Sequence, residues 1–255
     1  MATTTLTGAH GPMSEESSVD SPKTLLVRRA NERGLADYGW LVSRHTFSFG
    51  EYYDPAYLGF RSLRVINDDR VSGGRGFGAH PHRDMEILSY VVSGALEHRD
   101  SLGNGSTIHA GELQRMTAGT GIRHSEYNAS EHEPVHFLQI WIEPSRRGLN
   151  PSYEQVALPL DTTRGRFTLV GASEPGPGRV SIHQNVNLYL GRFDGDDIAH
   201  YRRELGRHLF AHIVSGKVQA DGIDLAAGDA VYTSDVERIT FSRAEAAEVL
   251  LFDLG

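Results

Sequence analysis

Cysteine is absent from this chain of 255 residues. The protein therefore has no disulfide bond, no thiolate metal ligand and no cysteine nucleophile, and any metal ion must be held by nitrogen and oxygen atoms. Lysine is nearly absent as well, since only Lys23 and Lys217 occur. The arginines are scattered and the net charge is −8, so no basic cluster indicates a nucleic-acid surface.

Long hydrophobic runs are also missing. No segment approaches the ~18 consecutive apolar residues that a membrane-spanning helix requires. The first residues, MATTTLTGAHGPMSEESSVDSPK, contain neither the basic nor the apolar segment of a secretory signal. We therefore expect a cytoplasmic protein that has no membrane partner and makes no direct contact with nucleic acid.

Short apolar segments separated by turn residues make up most of the chain. Residues 1–22 are rich in Thr, Ser, Gly and acidic residues and predict a disordered N-terminal extension. Beyond them, β-branched and aromatic runs bounded by glycine-containing turns predict an all-β protein with a barrel or sandwich architecture. The clearest predicted strands are Ser62–Asp68, Met85–Gly94, Ala95–Ser101 and Val135–Pro144. The last of these has two alternating faces, Phe137, Gln139, Trp141 and Glu143 on one and Leu138, Ile140 and Ile142 on the other.

A local repeat divides the chain into two halves. The segment SYVVSGALEHRD, followed by IHAGELQRMTAG, is similar to AHIVSGKVQADGIDLAAGDAVYTSD in the second half. Each runs from an apolar strand through a VSG turn to a short strand, and then through Ala-Gly and an acidic residue to another strand. We interpret them as a duplicated β unit and predict one domain over residues 23–150 and a second over residues 151–255.

Two pairs of candidate ligands stand at a spacing of two residues in the first half. GFGAHPHRDMEI contains His80 and His82, and GIRHSEYN contains His124 and Glu126. Because side chains alternate between the faces of a strand, the members of each pair project to the same side. If the two strands meet, three imidazoles and a carboxylate surround one point. Such a set suits a divalent first-row transition metal better than magnesium or calcium.

Other polar and aromatic residues of the first half carry weaker predictions. We expect His98 and His109 to be structural or solvent-facing. Orientation of a ligand through a hydrogen bond is the less favoured of the roles open to His132 and His136. The segment NDDRV, Asn67–Val71, is expected to form a turn rather than to supply oxygen ligands. The aromatic run HTFSFGEYYDPAYLGF is expected to pack a loop against the barrel rather than to form a ligand platform.

Three longer motifs resemble those of the pirin family, a branch of the cupin superfamily. They are RRANERGLADYGWLVSRHTFSFGEYYDPAYLGFRSLRVINDDRV, GFGAHPHRDMEILSYVVSGALEHRDSLGNGS and GELQRMTAGTGIRHSEYN. The resemblance continues to the end of the chain. It implies a bicupin, in which two packed cupin barrels of the jelly-roll type lie in one chain. The N-terminal barrel would hold one metal ion, and the degenerate C-terminal barrel would hold none and cover the first.

The resemblance assigns the metal ligands to His80, His82, His124 and Glu126. The general cupin pattern also fits with Glu86, which would share a face with His80 and His82 in a regular strand. In pirins, however, the carboxylate comes from the second motif, which leaves Glu86 as the alternate ligand. Family members commonly bind iron, so Fe(II) is the expected cofactor, with nickel, copper, manganese and cobalt as alternatives.

Two classes of function follow from the resemblance. Several bacterial pirins resemble quercetin 2,3-dioxygenases, which implies cleavage of a flavonol-like substrate by dioxygen, with Glu126 as both ligand and general base. Other pirins are transcription co-regulators or modulate metabolic enzymes, which implies a non-enzymatic, redox-sensitive metal-binding regulator that acts through a protein partner. A metal-free small-molecule-binding cupin is a third alternative, which the intact set of four ligands disfavours.

Overall fold

The computed structural model describes residues 24–255, so the extension predicted over residues 1–22 lies outside the described residues. Strands dominate, and the two 3-10 helices are Ala30–Glu32 and Leu160–Thr163. No helix within residues 24–255 is long and apolar enough to cross a membrane. The strands, in chain order, are β1 Leu26–Arg28, β2 Gly34–Asp37, β3 Leu41–His45, β4 Leu63–Val71, β5 Gly76–His82, β6 Glu86–Ser93, β7 Ala95–Asp100, β8 Gly105–His109, β9 Glu112–Thr117, β10 Ile122–Asn128, β11 Val135–Ile142, β12 Ser152–Ala157, β13 Phe167–Ala172, β14 Val180–Ser181, β15 Val186–Gly195, β16 Ala199–Arg202, β17 His208–Ala220, β18 Ile223–Ala226, β19 Ala230–Thr233 and β20 Arg238–Leu254.

These strands form three sheets. In the first half, a seven-stranded sheet has the order β12–β9–β6–β11–β4–β3–β2, and a four-stranded sheet has the order β5–β10–β7–β8. The second half forms a nine-stranded sheet along the path β1–β19–β17–β20–β15–β13–β14, with β16 paired to β20 and β18 to β17. Neighbouring strands are antiparallel apart from the parallel pair β13–β14. The predicted all-β class is therefore confirmed.

Strand β11 shows how the alternating sequence pattern positions the interior of the first barrel. Leu138, Ile140 and Ile142 are buried together in one large apolar cluster. On the opposite face, the Gln139 amide donates a hydrogen bond to Glu126 on β10, in the facing four-stranded sheet. The two predicted faces of this strand are confirmed, and the polar one points into the barrel.

The same apolar cluster joins the two halves of the chain. Leu138 and Ile140 of β11 belong to it together with Phe210 of β17 and Phe252 of β20. Full burial of one large apolar side chain stabilises a fold by roughly 1.5–3 kcal/mol, so this contact contributes substantially to the free energy of folding. The second half thus packs on the outer face of the seven-stranded sheet and covers it.

Each half also supplies a strand to the sheets of the other. β1, near the start of the described chain, pairs with β19 in the nine-stranded sheet. β12, which follows the predicted domain boundary, pairs with β9 in the first barrel. The side chain of Asp229 accepts hydrogen bonds from the Arg29 guanidinium and the Ala30 amide, which fixes the segment after β1 against the second half. The boundary between residues 150 and 151 stays a prediction.

Corresponding glycines in the two copies of the predicted repeat have the same backbone geometry. The VSG turns place Gly94 at φ 78° and Gly216 at φ 69°, and the Ala-Gly turns place Gly111 and Gly228 both at φ 86°. These values lie in the left-handed region, which favours glycine because other residues clash there. The shared geometry supports the interpretation of a duplicated β unit.

His212 of β17 is a buried histidine that makes folding sensitive to pH. It is fully buried, and neither ring nitrogen has a hydrogen-bond partner among the described residues. Burial and the nearby positive charge of Arg33 lower the pKa of His212 to about 3, against the opposing effect of Asp68 and Asp229. The unfolded chain therefore binds a proton at this position near pH 6.5 that the folded chain excludes.

We expect replacement of His212 by Leu to flatten the pH dependence of stability. Because its folded pKa is depressed, His212 costs stability as the pH falls below 6.5, roughly 2 kcal/mol between pH 7 and pH 5. Thermal unfolding at a series of pH values should show a smaller loss of Tm for His212→Leu than for the wild type. The exposed His200, replaced by Leu, is the control. Equal slopes in His212→Leu and wild type would show the prediction to be wrong.

Candidate metal centre

The four predicted ligands lie on two neighbouring antiparallel strands. His80 and His82 are on β5, His124 and Glu126 are on β10, and His124 is the cross-strand partner of His80. β5 is an edge strand whose only neighbour among the described strands of the sheet is β10. It tolerates Pro81 between the two histidines because the N–H group that proline lacks would have no second strand to bond to. Burial alternates along β10, and both His124 and Glu126 are buried.

The imidazoles of His80, His82 and His124 converge. One ring nitrogen from each lies within 4.8 Å of those of the other two. The centroid of the His80 ring lies 4.7 Å from that of His82 and 4.5 Å from that of His124, and His82 and His124 are 4.9 Å apart. The Nε2 atoms of His80 and His124 are separated by 3.1 Å. The structure therefore brings three of the four predicted ligands around one point.

Hydrogen bonds to the far side of two of these rings leave their Nε2 atoms without protons. Nδ1 of His80 lies 2.7 Å from the carbonyl oxygen of Gly78, which can only accept, so Nδ1 carries the proton. Nδ1 of His124 faces Nδ1 of His98 at 3.4 Å, and Nε2 of His98 lies 3.2 Å from Asp100. Because a carboxylate accepts, His98 carries its proton on Nε2. Its bare Nδ1 then accepts a hydrogen bond from the Nδ1–H group of His124.

Burial keeps the rings of His82 and His124 neutral. It lowers the pKa of His82 to about 4 and that of His124 to about 3, and in both cases the neighbouring histidines lower it further. Neutral rings that turn bare nitrogens toward one point repel one another unless a cation lies between them. The residues present therefore fit a divalent transition metal, for which neutral imidazole is a preferred ligand.

His98 is a residue whose importance the sequence analysis missed. Its side chain is fully buried, packs 4.9 Å from the ring of Tyr153 and faces His124. Asp100 is held by the Asn104 side chain and by backbone N–H groups. Burial alone would raise the pKa of Asp100, but the hydrogen bonds from Asn104 and His98 outweigh it and the pKa is lowered. Of the two alternatives stated for His98, a structural position is observed and exposure to solvent is wrong.

Glu126 lies beside the three imidazoles without joining all of them. Its carboxylate groups with His98 and His124, so two clusters of potential ligands share His124. One carboxylate oxygen accepts a hydrogen bond of 2.9 Å from Ser89, and the other accepts one of 2.7 Å from Gln139. Both donors are themselves buried, which fixes the orientation of the carboxylate.

Glu86 does not share a face with His80 and His82. The chain turns between them at Asp84, which has a φ of 51°, so Glu86 starts β6 in the other sheet of the barrel. Its carboxylate accepts hydrogen bonds of 3.1 Å from the backbone and the ring of His183 in the second half. The expectation of one regular strand was wrong at this turn, and Glu86 contacts the other half of the chain instead.

The geometry also decides three further alternatives, and among them the predicted turn over residues 67–71 is wrong. His136 lies on the outward face of β11 and hydrogen-bonds to Asp68 at 2.8 Å, whereas His132 is exposed, so neither orients a ligand. Residues 67–71 belong to β4 and form no turn. The aromatic run was considered either to pack a loop or to form a ligand platform, and its members divide between these roles. Phe47 packs against Phe210, whereas Phe49 lines a cavity.

Comparisons with known proteins agree with this architecture. The family model described as Pirin matches residues 27–142, and the model described as Quercetinase C-terminal cupin domain matches residues 169–254. The quercetin 2,3-dioxygenase of Escherichia coli K12 is 45% identical over 230 residues, which cover 90% of this chain and 98% of that protein.

Solved structures show the same fold. The structure of the bacterial pirin YhhW from Escherichia coli in complex with nickel(II) has a TM-score of 0.86 and 44% identity, and covers 91% of this chain and 99% of YhhW. YhaK from Escherichia coli has a TM-score of 0.68 and 31% identity, over 87% of this chain and 97% of YhaK. The predicted bicupin fold is confirmed.

The position of His98 generates a prediction about metal affinity. Replacing His98 by Phe keeps the packing against Tyr153 but removes the acceptor for the Nδ1 proton of His124. Loss of such a partner typically weakens metal binding by about 10- to 100-fold. Titration calorimetry of the metal-free protein with Ni(II) measures the effect, and His98→Gln, which keeps an acceptor oxygen, should recover part of it.

The exposed His109 on the neighbouring strand β8 supplies the matched control, His109→Phe, for which we expect wild-type affinity. An unchanged affinity in His98→Phe would remove His98 from any role in orienting His124. If His98→Gln lost as much affinity as His98→Phe, His98 would be a ligand itself.

Proposed function

Because the chain belongs to the pirin family, we propose that it is a metal-dependent dioxygenase that cleaves flavonols such as quercetin at a single site in its N-terminal barrel. The observation that carries the proposal is the convergence of three imidazoles around one point. The relative of 45% identity supports the reaction class, since it is named quercetin 2,3-dioxygenase and aligns over nearly all of both chains.

We propose that one divalent ion is held by His80, His82, His124 and Glu126. The convergence of their ring nitrogens supports the three histidines, and the sharing of His124 between the two clusters supports the inclusion of Glu126. The nickel(II) complex of YhhW supports a divalent metal in this family. Fe(II) is the proposed metal in the cell, and nickel, copper, manganese and cobalt are alternatives that the same nitrogen and oxygen donors accept.

Glu126 is proposed to act as the general base. A bound divalent ion would lower the pKa of a hydroxyl group next to it and offer exchangeable positions to substrate. In this proposal Glu126 accepts the proton of the flavonol 3-hydroxyl, which is supported by the lone pair that each of its oxygens keeps after Ser89 and Gln139 have donated. These two donors hold the carboxylate still while the proton moves.

Purified protein assayed with quercetin under air, before and after addition of Fe(II), tests the proposed function. We expect consumption of quercetin and of dioxygen that rises with metal content and stops when a chelator removes the metal. Turnover should be absent from His80→Ala and present in His200→Ala, which changes an exposed histidine of β16. Absence of turnover with every divalent metal would favour the alternative function, a redox-sensitive regulator that acts through a protein partner.

Glu126→Gln tests the proposed base. The amide keeps the size and one oxygen of the side chain but does not accept the proton, and loss of a general base typically costs about 10²- to 10⁴-fold in rate. We expect that loss in the quercetin turnover rate of metal-loaded Glu126→Gln, with the metal content measured in the same sample. The exposed Glu97 supplies the control, Glu97→Gln. A variant that kept both its metal and full oxygenation would show that Glu126 is not the base.

A further inference from the structure

The first barrel contains a second group of buried polar side chains that the proposed chemistry does not use. It lies on β3 and β4, where Ser43 is the cross-strand partner of Asp69 and His45 is that of Asn67. Because these residues stand two apart on each strand, all four side chains lie on the same face. Each is more than nine-tenths buried. We call this group the polar floor.

Four atoms of the polar floor have no hydrogen-bond partner among residues 24–255. They are Oγ of Ser43, Nδ1 of His45, Oδ1 of Asn67 and Oδ1 of Asp69. The Ser43 hydroxyl can donate and accept, whereas the oxygens of Asn67 and Asp69 are acceptors. His45 hydrogen-bonds to the backbone of Phe49 through its other nitrogen, and burial followed by the charge of Arg33 lowers its pKa, so Nδ1 of the neutral ring is an acceptor as well. Three unsatisfied acceptors side by side are unusual in a folded protein and require a donor.

The polar floor lines a cavity of about 550 Å³, a volume typical of small-molecule sites. The rest of the lining includes apolar and aromatic side chains, among them Leu41, Phe49 and Phe77, together with the acidic residues Asp37 and Glu51. At the rim, Leu35 and Tyr38 are more than half exposed to solvent. The cavity thus combines apolar and aromatic side chains with a floor that accepts hydrogen bonds.

Two contacts connect this cavity to the candidate metal centre. Asn67 of the floor is the cross-strand partner of Gln139, whose amide donates to Glu126. Trp141 packs edge-on against Phe49 of the cavity wall at 5.3 Å and against His82 at 5.0 Å. Burial raises the pKa of Asp69, and the negative charges of Asp68 and Glu126 raise it further, so Glu126 is close enough to act on the floor. The floor and the metal ligands are therefore linked through Gln139 and Trp141.

We infer that the polar floor binds the phenolic hydroxyl groups of the substrate and selects flavonols that carry hydroxyls on their outer rings. A phenol donates a hydrogen bond from a planar ring, so one molecule satisfies both the acceptors of the floor and the aromatic walls. The inference rests on the proposed function for the class of ligand and adds the residues that discriminate within that class. Asp69 and Asn67 are specificity-determining residues, and they take no part in the chemical step.

Equilibrium binding to the full-length, Ni(II)-loaded protein without dioxygen tests this inference, because no turnover takes place. The probes are quercetin and 3-hydroxyflavone, which keeps the 3-hydroxyl but lacks every hydroxyl of the outer rings. We expect wild-type protein to bind quercetin at least about tenfold more tightly, since a site built to pair with hydroxyl groups rejects an analogue that lacks them. Equal affinities for the two probes would overturn the inference, and this comparison requires no variant.

The variants Asp69→Leu and Asn67→Leu test whether the polar floor causes the preference for quercetin over 3-hydroxyflavone. Each should weaken quercetin binding by about tenfold and leave 3-hydroxyflavone binding within about twofold, because only quercetin loses a partner. Binding of 3-hydroxyflavone also shows that the variant is folded. The matched control is Asp161→Leu, at an exposed position of the second 3-10 helix. Unchanged quercetin affinity in both floor variants would contradict the inference.

The outcomes separate this inference from the proposed function. The protein could show hydroxyl-dependent binding that is lost in the floor variants and yet never consume quercetin under air. That result would support the inference about the polar floor and contradict the proposed dioxygenase function. Quercetin turnover by a protein that binds both probes equally would do the reverse.

Discussion

Two unprotonated imidazole nitrogens face each other in the interior of the first barrel, and the rest of the site depends on how this repulsion is relieved. The Nε2 atoms of His80 and His124 are 3.1 Å apart, and burial keeps the ring of His124 neutral. The Gly78 carbonyl fixes the proton on the far side of the His80 ring, and the hydrogen bonds that run from His124 through His98 to Asp100 fix the proton on the far side of the His124 ring. A cation between the rings converts the repulsion into attraction, so the protein without metal is prepared for the ion.

The two-barrel scaffold maintains this arrangement. β5 and β10 hold the histidines in register, and β11 supplies Gln139 to fix the carboxylate of Glu126. The opposite face of β11 packs into the apolar cluster shared with β17 and β20. The second half therefore acts on the site indirectly, by burying the back of the sheet whose front forms the interior. The exchange of β1 and β12 between the halves adds backbone pairing to that apolar contact.

The parts of this structure that were predictable from sequence are those governed by strict alternation. The two faces of β11 and the pairs His80/His82 and His124/Glu126 follow from the period of two, because each pair lies within one strand. The pairing of β5 with β10 nevertheless shifts register between His124 and Glu126. The expectation that Glu86 shares a face with His80 and His82 was wrong because a turn at Asp84 lies between them. No residue type near Asp84 marks that turn clearly. His98 and Asp100 both lie on β7 and stand two residues apart, as the members of the pairs His80/His82 and His124/Glu126 do. This spacing was visible in the sequence and could have identified them.

Tertiary context decided the remaining differences. Asn and Asp disfavour strands, so residues 67–71 suggested a turn, yet β3 and β11 pair with both edges of β4 and hold it extended. The first barrel thereby gains buried polar atoms that a turn would have exposed. Local propensity and tertiary structure conflict here because the polar residues line a cavity, where a sequence selected only for stability would place apolar ones.

An anomalous-difference map from a crystal of the Fe(II)- or Ni(II)-loaded protein tests the central claim most directly. The structure predicts one strong peak per chain, bonded to ring nitrogens of His80, His82 and His124, with Glu126 completing the protein ligands. A peak bonded instead to His98 and Glu126 without His80 and His82, or no peak within the first barrel, would contradict the account.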